Sequence, residues 1–165
     1  MKRTRADFDR LIAELRLDYV QLDDLMLANA KADERIRLGA NDGLDYAALG
    51  YTIHNVYGLI ENACLRIAKF FENNISDDAW HRDLLRRMLL DIPRMRPAFF
   101  TPEAYTLIDE LRGFRHVFRN AYSRSLDPER ILLLQKKMPV TAQHFKAAVD
   151  SYVEFLERFR EEIEE

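Results

Sequence analysis

Apolar residues recur every three or four positions along most of the chain, and this spacing predicts amphipathic helices. Two long stripes come first: Phe8, Leu11, Ile12, Leu15, Tyr19 and Leu22, then Leu49, Ile53, Val56, Ile60, Ile67 and Phe71. The turn signal Asn41-Asp42-Gly43 separates them. Since no segment alternates with the period of two that is typical of strands, the sequence predicts an all-α fold.

Capping residues and prolines predict where the later helices begin. Ser76, followed by two aspartates, predicts a short helix, and Thr101-Pro102-Glu103 predicts the start of a longer one. Asp127-Pro128-Glu129 repeats this pattern, and Pro139 opens the last helix, whose apolar stripe ends at Phe159. We therefore expect residues 1–165 to form a single domain, a bundle of four principal helices with shorter helices between them.

Composition and charge limit the possible functions. The chain has 165 residues, of which 48% are hydrophobic and 32% charged, and this balance is typical of a folded, helix-rich protein. Its net charge of −3 argues against nucleic-acid binding through overall charge, so any such site must be local. The sequence has no signal peptide and no apolar run near the roughly 20 residues of a membrane span, which predicts a cytoplasmic protein with no membrane role.

The common enzyme motifs are missing from the sequence. It contains no glycine-rich phosphate loop, no His-Glu-x-x-His zinc helix and no nucleophile elbow. The four histidines lie on different predicted helices, and the single cysteine, Cys64, is expected to be buried and inert. We therefore predict neither a metal centre nor a cofactor. His54 and Tyr57, beside the second stripe, are expected to have a packing role.

One segment, from Arg112 to Tyr122, concentrates arginines with a histidine, an amide and a tyrosine. On an ideal helix Arg115, Arg119 and Tyr122 fall within about 60° of one another, and His116 and Asn120 form an adjoining strip. Such a face could clasp a phosphodiester, because the planar guanidinium matches phosphate oxygens. The alternative, which spacing alone favours, is a solvated arginine face paired with acids such as Asp109 and Glu110.

The same segment resembles a known family. Phe114-Arg115-His116-Val117-Phe118-Arg119-Asn120-Ala121-Tyr122, followed by Leu126-Asp127-Pro128-Glu129-Arg130, is similar to the signature of HepT-like ribonuclease domains in the HEPN superfamily. The segments from Ile53 to Glu61 and from Trp80 to Leu85 also resemble this family, so the likeness covers most of the chain. The resemblance implies an all-α helical bundle.

The resemblance also implies site residues, with one departure. The family motif has an arginine, a polar residue, three further residues, a histidine and then a tyrosine; here these positions hold Arg115, His116, Asn120 and Tyr122. Asparagine cannot act as a general base. Three alternatives follow: His116 transfers the proton, the fold retains RNA binding with weak cleavage, or Asn120 is an inactivating substitution.

The activity and partners that the resemblance implies are those of a toxin-antitoxin system. It implies a homodimer that cleaves RNA without a metal, with Arg115 and Arg119 stabilising the transition-state charge, and with an MntA-like nucleotidyltransferase antitoxin that attaches AMP to Tyr122. Two rival hypotheses remain open at this stage. One is a non-catalytic helical binding subunit for a nucleotidyltransferase or its substrate, and the other is a structural interaction domain.

Overall fold

The computed structural model describes residues 3–72, 80–120 and 126–163, with the backbone alone given for 80–82. The helices in this part are α1 (Arg5–Arg37), α2 (Gly43–Phe71), α3 (Trp80–Arg87), α4 (Pro102–Arg119), α5 (Pro128–Gln135) and α6 (Met138–Glu161). None of the described residues lies in a β-strand. The predicted all-α bundle of four long helices with shorter ones between them is therefore confirmed.

Local capping chemistry starts most of these helices. The Thr4 side chain accepts from the Asp7 backbone N–H, and the Asp7 carboxylate accepts from the Thr4 backbone N–H, which together form a capping box for α1. Asp42 caps α2 and Thr101 caps α4. The starts predicted at Thr101 and Asp127 are confirmed, whereas the one predicted at Ser76 lies outside the described residues.

Helix α2 is the centre of the bundle. It packs against α1, α3, α4 and α5, and its buried side chains run the length of the helix. Cys64 is fully buried there, as predicted, and burial raises the pKa of its thiol. A partly buried pair of amides ties α1 to α5, because Asn29 and Gln135 donate to each other at 2.8 Å. The core thus fixes α2 relative to its neighbours.

An irregular segment between α3 and α4 is held by a buried arginine. The Arg96 side chain is fully buried, and its Nη2 lies 2.6 Å from Glu72 Oε1, just past the end of α2. Arg96 also donates to the backbone carbonyls of Arg87, Leu90 and Pro97. Because a buried charge is tolerated only when it is paired and hydrogen-bonded, this cluster fixes the path of the chain into α4.

Candidate functional site

Helix α4 approaches α2 closely because a glycine leaves room for it. A Cβ atom built on Gly50 would lie 3.1 Å from one ring carbon of Phe118 and 3.2 Å from one of Phe114. Both distances are tighter than ordinary side-chain contacts. The two rings, which lie 5.7 Å apart, therefore fill the space that a side chain at position 50 would occupy. This contact sets the last turns of α4 against α2.

Arg115, the first residue of the predicted motif, is anchored by α2. Its Nη1 lies 3.0 Å from Glu61 Oε1, and the Tyr57 hydroxyl donates to the same oxygen at 3.0 Å. The guanidinium carbon also lies 5.5 Å from the centre of the Tyr57 ring. Glu61 is only 4% exposed, and burial together with the Glu61 charge raises the pKa of Tyr57. The position of Arg115 is thus fixed, and the Arg115 side chain remains 19% exposed.

Arg119 lies one turn further along α4 in a different setting. Its side chain is exposed and forms neither an ion pair nor a hydrogen bond with the residues that the structure describes. By contrast, Arg112 Nε lies 2.6 Å from Asp109 Oδ1, and Glu110 pairs with Lys137. The interpretation of the segment as a solvated, paired arginine face therefore fits Arg112 but not Arg119.

His116 and Asn120 lie on the exposed side of the helix end. Asn120 is the C-cap residue of α4, and its side-chain Nδ2 donates to the backbone oxygen of His116 at 2.8 Å. This bond satisfies one of the carbonyls that the end of a helix leaves without a partner. The amide at position 120 therefore secures the last turn of α4, and the imidazole of His116 stands beside it in solvent.

His54 is a further candidate site residue, for which the sequence favoured a packing role over a catalytic one. Its ring stacks on Phe118 with centroids 5.4 Å apart and an interplanar angle of 26°, so a packing contact exists. Burial lowers the pKa of His54, and the positive charges of Arg115 and Arg119 lower it further. The structure thus brings a second imidazole, besides that of His116, to the motif helix. The signal available in the sequence was the spacing of His54, Tyr57 and Glu61, which places all three on one helical face.

The remaining sequence predictions concern a tyrosine, metals and membranes. Tyr122 lies outside the described residues. Within residues 3–72, 80–120 and 126–163, no three His, Cys, Asp or Glu side chains come together as metal ligands would. A search of the same residues for a membrane-crossing helix finds none with the required length and apolar character.

Comparison with known proteins gives one match. The family model described as "HepT-like protein" matches residues 48–156, which include most of α2, all of α3 to α5 and the described site candidates Arg115, His116, Arg119 and Asn120. No curated protein and no solved structure matches the chain. Because the match covers well over half of the sequence, the chain belongs to the HepT-like family of the HEPN superfamily, a family of toxin-like proteins that are typically the toxin part of a pair.

Proposed function

We propose that this protein is the toxin component of a HepT/MntA-type toxin-antitoxin system, a metal-independent endoribonuclease acting at the C-terminal end of α4. The observation that carries the proposal is the difference between two arginines one turn apart. Arg115 is fixed by Glu61 and Tyr57, whereas Arg119 is exposed and unpaired among the described residues. A fixed guanidinium beside a free one suits the recognition and stabilisation of a phosphodiester.

The proposed reaction needs no group besides the chain and RNA. The 2′-oxygen attacks the adjacent phosphorus, the bond from phosphorus to the 5′-oxygen breaks, and the products are a 2′,3′-cyclic phosphate and a free 5′-hydroxyl. Arg119 binds the non-bridging oxygens of the substrate phosphate. Arg115 donates hydrogen bonds to the phosphorane oxygens on which negative charge develops. Because Arg115 is already held in place, little reorganisation is needed when that charge appears.

Two proton transfers accompany this reaction, and we assign them to the two imidazoles near the arginines. His54 accepts the proton of the 2′-hydroxyl, since its lowered pKa keeps the ring neutral near pH 7. His116, which lies in solvent on the motif helix, returns a proton to the departing 5′-oxygen. Asn120 performs neither step, because a side-chain amide is too weak an acid and too weak a base to transfer these protons near neutral pH.

A homodimer would complete the site in this proposal. A two-fold axis beside the ends of two α4 helices would bring a second Arg115 and Arg119 to the same cleft. The cleft would then be positive although the chain carries a net charge of −3. RNA would bind there through local charge.

The proposed partner is an MntA-like nucleotidyltransferase antitoxin that attaches AMP to Tyr122. The added phosphates, three residues beyond Arg119 in the sequence, would occupy the guanidinium donors that RNA needs. Co-expression with such a partner is expected to add mass in steps of one AMP, measured on the intact protein. An equal mass gain in a Tyr122→Phe variant would exclude this tyrosine as the acceptor.

The test of the ribonuclease proposal is cleavage of single-stranded RNA by the purified protein. Arg119→Ala is expected to lower kcat/KM about 100-fold or more, the usual effect of losing one transition-state donor. Arg112→Ala is the matched control, because that guanidinium is already paired with Asp109, and it should change the rate little. The cleavage rate should also fall at acidic pH as His54 becomes protonated. The midpoint of that fall should lie below pH 6.5, because the pKa of His54 is lower than that of an ordinary histidine. Equal rates for the two arginine variants would contradict the proposal.

A second candidate function is favoured by one observation. Asn120 stands where the family motif has a histidine, and its side chain is engaged as the cap of α4. This arrangement suits a non-catalytic helical binding subunit for a nucleotidyltransferase or its substrate. The Asn120→His variant separates the two functions. If only this variant cuts RNA, the natural chain is the binding subunit; if both cut at similar rates, it is the nuclease.

A further inference from the structure

A cavity of about 510 Å³ lies between α1 and α2. It is lined by Asp18, Gln21 and Asp24 from α1 and by Asn55, Gly58 and Asn62 from α2, among others. This volume lies within the usual range of small-ligand sites. The cavity is distinct from the arginine end of α4, but the two share one residue, because His54 both lines the cavity and stacks on Phe118.

Gly58 has no role in the backbone or packing that would require a glycine. It lies inside α2 without a positive φ, and a Cβ atom built there would meet nothing within 4 Å. A glycine inside a helix is destabilising relative to alanine, so a glycine that neither the backbone nor the packing requires points to a functional role. The missing side chain leaves the floor of the cavity open, with His54 one turn before it and Asn62 one turn after it.

The polar groups around this floor are unoccupied. With the residues that the structure describes, the side chains of Gln21, Asp24, Asn55 and Asn62 make no hydrogen bond. Side-chain amides and carboxylates of this kind read the edges of nucleobases, where they pair with ring nitrogens and exocyclic amino groups. A flat base lying on the bare backbone of Gly58 could reach both helices.

The charge of the cavity decides which part of a nucleotide it can hold. Asp18 and Asp24 are both acidic, and the basic side chain in the lining, Arg66, is already paired with Asp18. The cavity is thus unsuited to a phosphate and suited to a neutral group that donates hydrogen bonds. Arg119, the proposed site for phosphate, does not line this cavity.

We propose that the cavity over Gly58 binds one nucleobase of single-stranded RNA, next to the phosphate held by the arginines of α4, and prefers bases with an exocyclic amino group. This inference rests on the proposed ribonuclease function, because it names a base-binding subsite for that reaction. Guanine, adenine and cytosine all present amino donors to a carboxylate, and uracil presents none. Uridine nucleotides should therefore bind most weakly.

The test is calorimetric titration of the full chain with the four ribonucleoside 5′-monophosphates. Guanosine, adenosine and cytidine monophosphates are expected to bind at least ten-fold more tightly than uridine monophosphate. Gly58→Leu, which fills the floor of the cavity, should weaken this binding at least ten-fold. Gly43→Leu is the matched control, because Gly43 also lies in α2 with open space around it but is remote from the cavity. Asn62→Ala should also weaken binding, and because Asn62 is exposed, the substitution should leave the fold intact.

The outcomes separate this inference from the function on which it rests. Equal nucleotide affinities for the natural chain, Gly58→Leu and Asn62→Ala would overturn the base subsite, even if RNA is still cut in an Arg119-dependent way. Equal affinity for all four nucleotides would overturn the stated preference and with it the proposal. Failure of the ribonuclease proposal has a different signature, since RNA would then be neither cut nor bound through Arg119 while calorimetry still reports on the cavity.

Discussion

Two glycines of α2, Gly50 and Gly58, have opposite surroundings. A side chain at Gly50 would collide with Phe114 and Phe118, so this glycine serves the approach of α4. A side chain at Gly58 would meet nothing, because this glycine faces the cavity beside α1. Glycine at position 50 thus lets α4 pack tightly against one face of α2, whereas glycine at position 58 leaves a cavity on the other face.

The polar residues on the two faces differ in the same way. Toward α4, Glu61 accepts hydrogen bonds from Tyr57 and Arg115 and is nearly inaccessible to solvent. Toward α1, Asn55 and Asn62 have no hydrogen-bond partner among the described residues. The first face uses its polar groups to position the protein's own arginine, and the second leaves them available to another molecule. Substitutions on the first face should therefore change stability, and those on the second should change binding.

The largest effect is expected at Glu61. The Glu61→Ala substitution removes the carboxylate that accepts hydrogen bonds from the Tyr57 hydroxyl and the Arg115 guanidinium, in a region with little access to water. Breaking a buried ion pair of this kind costs about 3 kcal/mol of unfolding free energy. Urea denaturation followed by circular dichroism would measure the loss.

Asp109→Ala is the control for Glu61→Ala, because each substitution removes the carboxylate partner of an arginine on α4. The pair of Asp109 with Arg112 is partly exposed and lies within one helical turn, so its loss should cost about 0.5 kcal/mol or less. Similar losses in the two variants would show that the anchor of Arg115 has no special energetic role.

The difference between local and long-range contacts explains which features could be predicted from the sequence. The starts of α4 and α5 were predictable, because a capping residue followed by proline acts within one turn. The spacing of Arg115 and Arg119 also placed them together without any knowledge of tertiary structure. By contrast, the bond from Arg115 to Glu61 joins residues 54 positions apart and depends on how α4 crosses α2.

His54 was missed for this long-range reason. Its contact with Phe118 exists only because Gly50 lets the two helices approach, and hydrophobic periodicity reports burial rather than the identity of a neighbour. The contacts of the buried Arg96 could not be predicted either, because Arg96 lies on an irregular segment whose path no local pattern specifies and its partner Glu72 is 24 positions away.

An intermediate effect is expected at Gly50. The added methyl group in Gly50→Ala would lie 3.1 to 3.3 Å from ring atoms of Phe114 and Phe118. Phe114 is buried and Phe118 stacks on His54, so neither ring can move away freely. Overpacking costs about 1–3 kcal/mol, and the better helix propensity of alanine offsets about 1 kcal/mol of it. A net loss of about 1 kcal/mol in urea denaturation is expected. A gain in stability would mean that the two helices can separate without cost.

The smallest effect, and the one with the opposite sign, is expected at Gly58. The methyl group in Gly58→Ala enters open space, so only the helix propensity changes, and the variant should be more stable by about 0.5–1 kcal/mol. For a chain of this size the thermal midpoint should rise by about 2 °C. Scanning calorimetry of the Gly50→Ala and Gly58→Ala variants side by side would measure both signs. A destabilised Gly58→Ala variant would show that the helix needs this glycine for packing, and the open face of α2 would then lose its distinction from the closed one.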